Sequence, residues 1–226
     1  MTLALDISNF TAERTGPLTK NQIEDAYNLG VRAFRPNIEV QEYAVQQIDA
    51  IVDSHVPMDI WTYRWYSFIG AIQQAEEDKN FIQRVRELKY NIQLHSIDIE
   101  DTNPNISIPE RILISHSIIG QFTGFCPTDL YTGQWYWEQY MGNTTELNYM
   151  PLWFARYPNN QLPDTTLTPY FGGWTKGHMH QYIGNIIFAG IWCDVNYYEE
   201  PQPLPPVEEP TLIKVSANKL YRFELE

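Results

Sequence analysis

Ile92-Gln93-Leu94-His95-Ser96-Ile97-Asp98-Ile99-Glu100-Asp101 starts as an alternating apolar run and ends as a cluster of carboxylates. Ile92 to Ile99 reads as a strand. The stretch before it, Ile69 to Leu88, reads as a helix with a charged outer face of Glu76, Glu77, Asp78, Lys79, Arg84 and Arg86. The same alternation continues toward the N-terminus. Val56 to Tyr66 is a strand rich in aromatic and β-branched residues. Val40 to Ser54 is a helix with Ala44, Ile48, Ile51 and Val52 near helical spacing. Val31 to Arg35 is a strand, Thr19 to Leu29 a helix with Thr19 as N-cap and Gly30 just past its end, and Leu3 to Ile7 a strand. Strand–helix alternation from the first residues predicts an α/β fold: a parallel sheet with helices outside.

Beyond Asp101 the pattern loosens. Ile106 to Phe122 reads as a helix broken near Pro109 and Gly120. Strands are expected around Asp129-Leu130-Tyr131, over Pro151 to Tyr157, Met179 to Ile183 and Ile191 to Tyr197, with little helix between them. The expectation is a TIM-like barrel with a helix-poor second half, and 226 residues suit a small one. The barrel is expected to occupy residues 1–198. Residues 199–210 (Glu199-Glu200-Pro201-Gln202-Pro203-Leu204-Pro205-Pro206-Val207-Glu208-Glu209-Pro210) form a Pro/Glu-rich linker without positive charge. Residues 211–226 are too short to fold alone and are read as a docking or oligomerisation segment.

With 28 Asp+Glu against 15 Lys+Arg, the net charge is -13. Such a chain lacks the cations that neutralise phosphates, which argues against nucleic acid as a partner and against anionic membrane surfaces. No apolar run is long enough to span a bilayer, so no membrane insertion is expected. Met1 to Asp6 has no basic n-region, so no signal peptide is expected. Cys126 and Cys193 form neither a disulfide framework nor a zinc signature. His178 and His180 flank Met179 without a third ligand at recognisable spacing, so neither a metal nor a cofactor is expected.

Asp98 and Glu100 lie two residues apart, and on a strand such residues share one face at about 6.6–7 Å. Two carboxylates at the C-terminal end of a barrel strand suit glycoside hydrolysis. Mutual repulsion raises the pKa of one of them, as a general acid requires. The same spacing also suits a solvated loop or a helix cap. Asp6 ends the first strand on the same rim.

Several stretches, in order, resemble the glycoside hydrolase family 25 lysozymes, the Chalaropsis-type muramidases. Leu5-Asp6-Ile7-Ser8 resembles their "D-[IV]-S" opening, and Gly30-Val31-Arg32-Ala33-Phe34-Arg35 their "G-V-x-F" strand. Val56-Pro57-Met58-Asp59-Ile60-Trp61 resembles "L-P-V-G-A-Y", and Ile97-Asp98-Ile99-Glu100-Asp101 resembles "L-D-[LIV]-E". Tyr131-Thr132-Gly133-Gln134-Trp135 resembles "Y-T-x-x-x-W", and Pro151 to Tyr157 resembles "L-W-x-A-x-Y". His180-Gln181-Tyr182 resembles "W-Q-Y", and Gly190 to Asn196 resembles "G-[IV]-x-G-x-V-D-x-N". The resemblance covers residues 3–198. It departs from the family at Arg35-Pro36-Asn37, at Trp61 in place of Tyr, and at Cys193 in place of an aliphatic residue.

The resemblance implies a (β/α)5(β)3 barrel that cleaves the β-1,4 bond between N-acetylmuramic acid and N-acetylglucosamine in peptidoglycan. It implies Glu100 as general acid, with Asp98 stabilising or orienting the substrate N-acetyl group, and Asp6 and Asp194 completing the acidic rim. Trp61, Tyr63, Arg35, Trp153, Tyr157, Gln181 and Tyr182 are expected to bind the glycan, the aromatic rings by stacking on sugar faces. A muramidase without a signal peptide suits a phage lysin that leaves the host cytoplasm for the cell wall on release, or a component of the phage particle. The alternatives are a non-catalytic carbohydrate-binding or phage structural module on the same barrel, or a glycosidase acting on another polysaccharide.

Overall fold

The computed structural model describes residues 2–199. Eight strands form a closed barrel in sequence order. They are β1 (Thr2–Ile7), β2 (Val31–Pro36), β3 (Asp59–Trp65), β4 (Ile92–Asp98), β5 (Thr128–Gly133), β6 (Leu152–Ala155), β7 (Met179–Phe188) and β8 (Ile191–Tyr198). Six helices accompany them: α1 (Asn9–Thr15), α2 (Lys20–Asn28), α3 (Gln41–Asp53), α4 (Ala71–Glu87), α5 (Ile108–Phe122) and α6 (Gln134–Tyr140). No described helix lies between β6 and β7, as the loosened pattern of the second half predicts. The linker from residue 200 onward and the segment 211–226 lie outside the described residues. Among the described residues, no helix is long and apolar enough to cross a membrane.

The parallel sheet read from the strand–helix alternation holds up to its last strand. β1 to β7 pair in parallel, but β8 runs antiparallel to both β7 and β1. The cause is the two-residue connection Ala189-Gly190, with φ of 50° and 75°. Two residues with positive φ make a hairpin turn, whereas a parallel return needs a crossover of a dozen residues or more.

Three further differences have local causes. α5 is continuous: Pro109 sits in its first turn, where no N–H is required, and Gly120 falls in its last turn. The short helices α1 and α6 lack the repeated apolar spacing that marks a helix in sequence. Asp78 does not belong to the outer face of α4. It is buried at i+3 from Ala75 and i-3 from Phe81, and it is satisfied by Arg64 at 2.8 Å and the Tyr66 hydroxyl at 2.5 Å. Burial of its carboxyl raises its pKa to about 6.

The period-2 alternation of strands divides the core. Leu3, Leu5 and Ile7 face the helices, while Ala4, Ala33, Trp61, Leu94, Trp153, Met179 and Tyr198 fill the barrel interior. Among them lies a fully buried ion pair. Arg35 Nη2 donates to both Asp129 oxygens, at 3.1 and 3.3 Å, and neither side chain has any exposed surface. The guanidinium lies 3.8 Å from the Trp153 ring centroid and 5.3 Å from that of Trp61. A charge left alone there has no solvent to turn to. Asp129→Ala is therefore expected to cost about 3–5 kcal/mol in urea unfolding, and Arg35→Met/Asp129→Leu to recover most of that loss. A double variant as unstable as the single one would contradict this.

Candidate active site

Asp6 and Asp98 lie toward the C-terminal ends of β1 and β4. β8 brings Asp194 directly across from Asp6 in the antiparallel ladder. The local cause is again alternation: Asp6 follows inward-facing Ala4 at i+2, and Asn196 follows Asp194 at i+2.

One amide joins these strands. Gln181, on β7, donates through Nε2 to Asp6 Oδ2 at 2.7 Å and to Asp194 Oδ2 at 3.1 Å. Its Oε1 accepts the Tyr131 hydroxyl at 2.7 Å and the Tyr157 hydroxyl at 2.5 Å. Two donors and two acceptor positions are thereby all engaged, the full capacity of a glutamine side chain. The remaining carboxylate oxygens of the pair also receive donors. Asn196 Nδ2 reaches Asp6 Oδ1 at 3.2 Å, and the Asn185 N–H reaches Asp194 Oδ1 at 2.5 Å. Trp153 Nε1 in turn fixes Asn196 Oδ1 at 2.7 Å.

The other two acids are held differently. Asp98 is 9% exposed, and its Oδ1 is buried with no hydrogen-bond partner among the described residues. Glu100 accepts the Gly133 N–H through Oε1 at 2.6 Å. A side chain at 133 has little room: a Cβ would stand 3.0 Å from the Trp135 ring and 3.3 Å from Glu100 Oε1. Trp135, 55% exposed, therefore lies beside this acid.

Burial raises the pKa of all four carboxyls. Asp98 stands well above the ordinary aspartate range because of burial and then of Glu100 and Asp6. Asp6 likewise stands well above that range because of burial and then of Asp194, against the lowering pull of Asn196 and of the Arg35 guanidinium. Glu100 is raised by burial and held back by the Gly133 N–H. Asp194 is raised by burial and held back by the Asn185 N–H. Burial and like charge together thus favour the protonated form across the rim. Burial and the surrounding acids also hold the Tyr131 phenol protonated, so it stays a donor to Gln181.

The expected glycan-binding residues separate into layers. Arg35, Trp61 and Trp153 are 0%, 5% and 1% exposed and lie below the rim inside the barrel. They are not open to a saccharide; their inward strand positions commit them to the interior and to the ion pair. Gln181 is also buried, with its polar atoms committed to Tyr and Asp partners. Tyr63 lines a pocket of 220 Å³ with Asp6 and Asp194. Tyr157, 56% exposed, shares an adjoining pocket of 270 Å³ with mostly buried Tyr182. Asn185 borders both pockets. Sequence reasoning missed the roles of Gly133, Asn185 and Asn196. Of these only Asn196 carried a signal, by sharing a strand face with Asp194.

Comparison with known proteins bears on what this rim is for. The family model described as glycosyl hydrolases family 25 matches residues 37–191. The "Probable GH family 25 lysozyme 3" of Dictyostelium discoideum is 27% identical over 160 residues, covering 67% of this chain and 32% of that protein. Counting factor 50 of the same organism is 39% identical over 69 residues, 30% of this chain and 23% of that protein. The chain thus spans about a third or less of the length of these relatives. Among solved structures, the CTP1L endolysin is 18% identical with a TM-score of 0.61, over 88% of this chain and 67% of that one. The modular Cpl-1 endolysin, solved in complex with a peptidoglycan analogue, is 16% identical with a TM-score of 0.50, over 89% of this chain and 56% of that one. These two similarities concern the fold. With the family model spanning most of its length, the chain belongs to the glycosyl hydrolases family 25.

Proposed function

We propose that this chain is a peptidoglycan hydrolase, an N-acetylmuramidase cleaving the β-1,4 bond between N-acetylmuramic acid and N-acetylglucosamine. The observation that carries the reading is the asymmetry of hydrogen bonding across the four carboxyls. Each oxygen of Asp6 and Asp194 receives a donor. Asp98 Oδ1 receives none. Asp98 and Glu100 are therefore the side of the rim on which protons are held.

On this reading Glu100 protonates the leaving glycosidic oxygen as general acid. Asp98 orients and stabilises the substrate N-acetyl group. Gln181 acts as a positioning residue, holding Asp6 and Asp194 in one geometry across from Asp98 and Glu100. The endolysin solved with a peptidoglycan analogue shares the fold, which supports the choice of substrate.

Glu100→Gln is expected to lower turnover about 10²–10⁴-fold in clearing of bacterial walls. In the wild type, turnover is expected to fall as pH rises through the elevated pKa of Glu100, because only the protonated acid can donate. Wild-type protein that clears no wall type at any pH, or a Glu100→Gln variant that clears as well as wild type, contradicts the assignment. Release of product from chitin or a capsule but not from walls redirects the substrate to another polysaccharide.

Gln181→Leu is expected to lower turnover at least tenfold and to move the alkaline limb of the pH profile, while Gln181→Asn recovers neither. An unchanged profile with reduced activity would reduce Gln181 to a packing role.

The rim also costs stability. Folded Asp98 holds a proton that the unfolded chain releases above about pH 4. Folding then takes up a proton, so stability falls as pH rises through that range. Asp98→Asn is accordingly expected to raise the urea midpoint at neutral pH and to lose that advantage near pH 3, where aspartate is protonated in both states. An equal gain at both pH values would remove the electrostatic cause.

A further inference from the structure

The 220 Å³ pocket beside Asp6 and Asp194 has a wall that the glycosidase reading does not use. That wall is α1, and its Arg14 lines the pocket together with Phe10 and with Trp192 of β8. α1 is fastened to β8 at both ends of one residue. Thr11 Oγ1 donates to the Trp192 carbonyl at 2.7 Å, and the Trp192 N–H donates to Thr15 Oγ1 at 3.2 Å. The Arg14 guanidinium lies over the Trp192 ring, 4.4 Å from its centroid. A stacked guanidinium keeps its donor edge free.

Among the described residues, Arg14 makes no hydrogen bond or ion pair, although two carboxylates line the same pocket. Their oxygens are committed to Gln181, Asn196 and Asn185 instead. On the opposite side, Asn185 stands at φ 58° with its side-chain amide unbonded among the described residues. Asparagine takes this left-handed conformation readily, here at the register shift between Ile183 and Ile186, and it leaves the amide at the pocket edge. The pocket thus offers a fixed cation, an aromatic wall and a free amide within an otherwise anionic rim.

We infer that this pocket is a subsite for a carboxylate carried by the glycan, bound by Arg14 against Trp192. The inference rests on the muramidase reading and deepens it. It selects acidic glycan over neutral glycan, and it explains how so negative a rim accepts an anionic polymer: one guanidinium compensates for the acids at the point of contact. Peptidoglycan presents this chemistry from two sources, the lactyl carboxylate of muramic acid without a stem peptide and the carboxylates of the stem itself.

Titration calorimetry with the Glu100→Gln chain, with and without Arg14→Gln, tests the assignment without turnover. The probes are a peptide-free tetrasaccharide of alternating N-acetylglucosamine and N-acetylmuramic acid, the same tetrasaccharide bearing pentapeptide stems, and a neutral tetrasaccharide of β-1,4-linked N-acetylglucosamine. Loss of one charge-assisted bond should weaken an acidic probe about tenfold or more, leave the neutral probe unchanged, and be partly restored by Arg14→Lys. Loss on the peptide-free probe identifies the lactyl carboxylate. Loss on the stem-bearing probe alone identifies the stem. Equal affinities with and without Arg14→Gln, or an equal loss on all three probes, overturns the subsite while leaving the muramidase reading in place. A parent chain that binds only the neutral probe overturns the subsite and the muramic acid specificity. A parent that binds none of the three overturns both proposals.

Discussion

A guanidinium and a carboxylate meet at the centre of the barrel, fully buried, and the interior is built around them. Arg35 from β2 reaches Asp129 on β5 between the rings of Trp153 and Trp61. In so dry a place the two charges tolerate each other only as a pair. Their position has an effect one layer up. The Arg35 cation lies close enough to Asp6 to oppose the rise of its pKa. The packing of the lower interior and the charge state of the rim are therefore linked through one side chain.

Above that layer, polarity is organised by saturation. Gln181 has no hydrogen-bonding capacity left, and Asp6, Asp194 and Asn196 are tied into the same network. Fully connected buried polar groups hold a single geometry, whereas a partly connected set can rearrange. The incomplete member is Asp98, with an unpartnered oxygen. The rim thus combines a rigid half with a half where a proton has somewhere to go. This contrast, more than the number of acids, distinguishes a reactive rim from an acidic surface.

The fold was legible wherever local pattern governs it. The first four strands and helices α2, α3 and α4 announce themselves by period, and Thr19 caps α2 as its position predicts. Legibility ended where the decisive partner was distant or the signal was short. The reversal of β8 depends on Ala189 at positive φ, where an Asn-Gly pair would have been the recognisable cue. The sequence patterns around Arg35 and Gln181 suggested the cleft, yet what commits them are Asp129, 94 residues away, and Asp6, 175 residues away. At the rim, the i, i+2 spacing of Asp98 and Glu100 was plain, but the donors that separate the four acids into two kinds come from β5, β7 and β8.

Closure of the barrel also has a consequence for vectorial synthesis. One edge of β1 has β8 as its partner, and β8 is the last strand described, nearly two hundred residues later in the chain. Until about residue 198 has emerged, β1 can pair only with β2. A nascent chain must therefore carry an open strand edge from the emergence of β1 until β8 follows, the state in which edge-to-edge association is easiest. The acids Asp6 and Asp194 meet only when β8 closes the barrel, so the polar rim is completed by the same step that covers the open edge of β1.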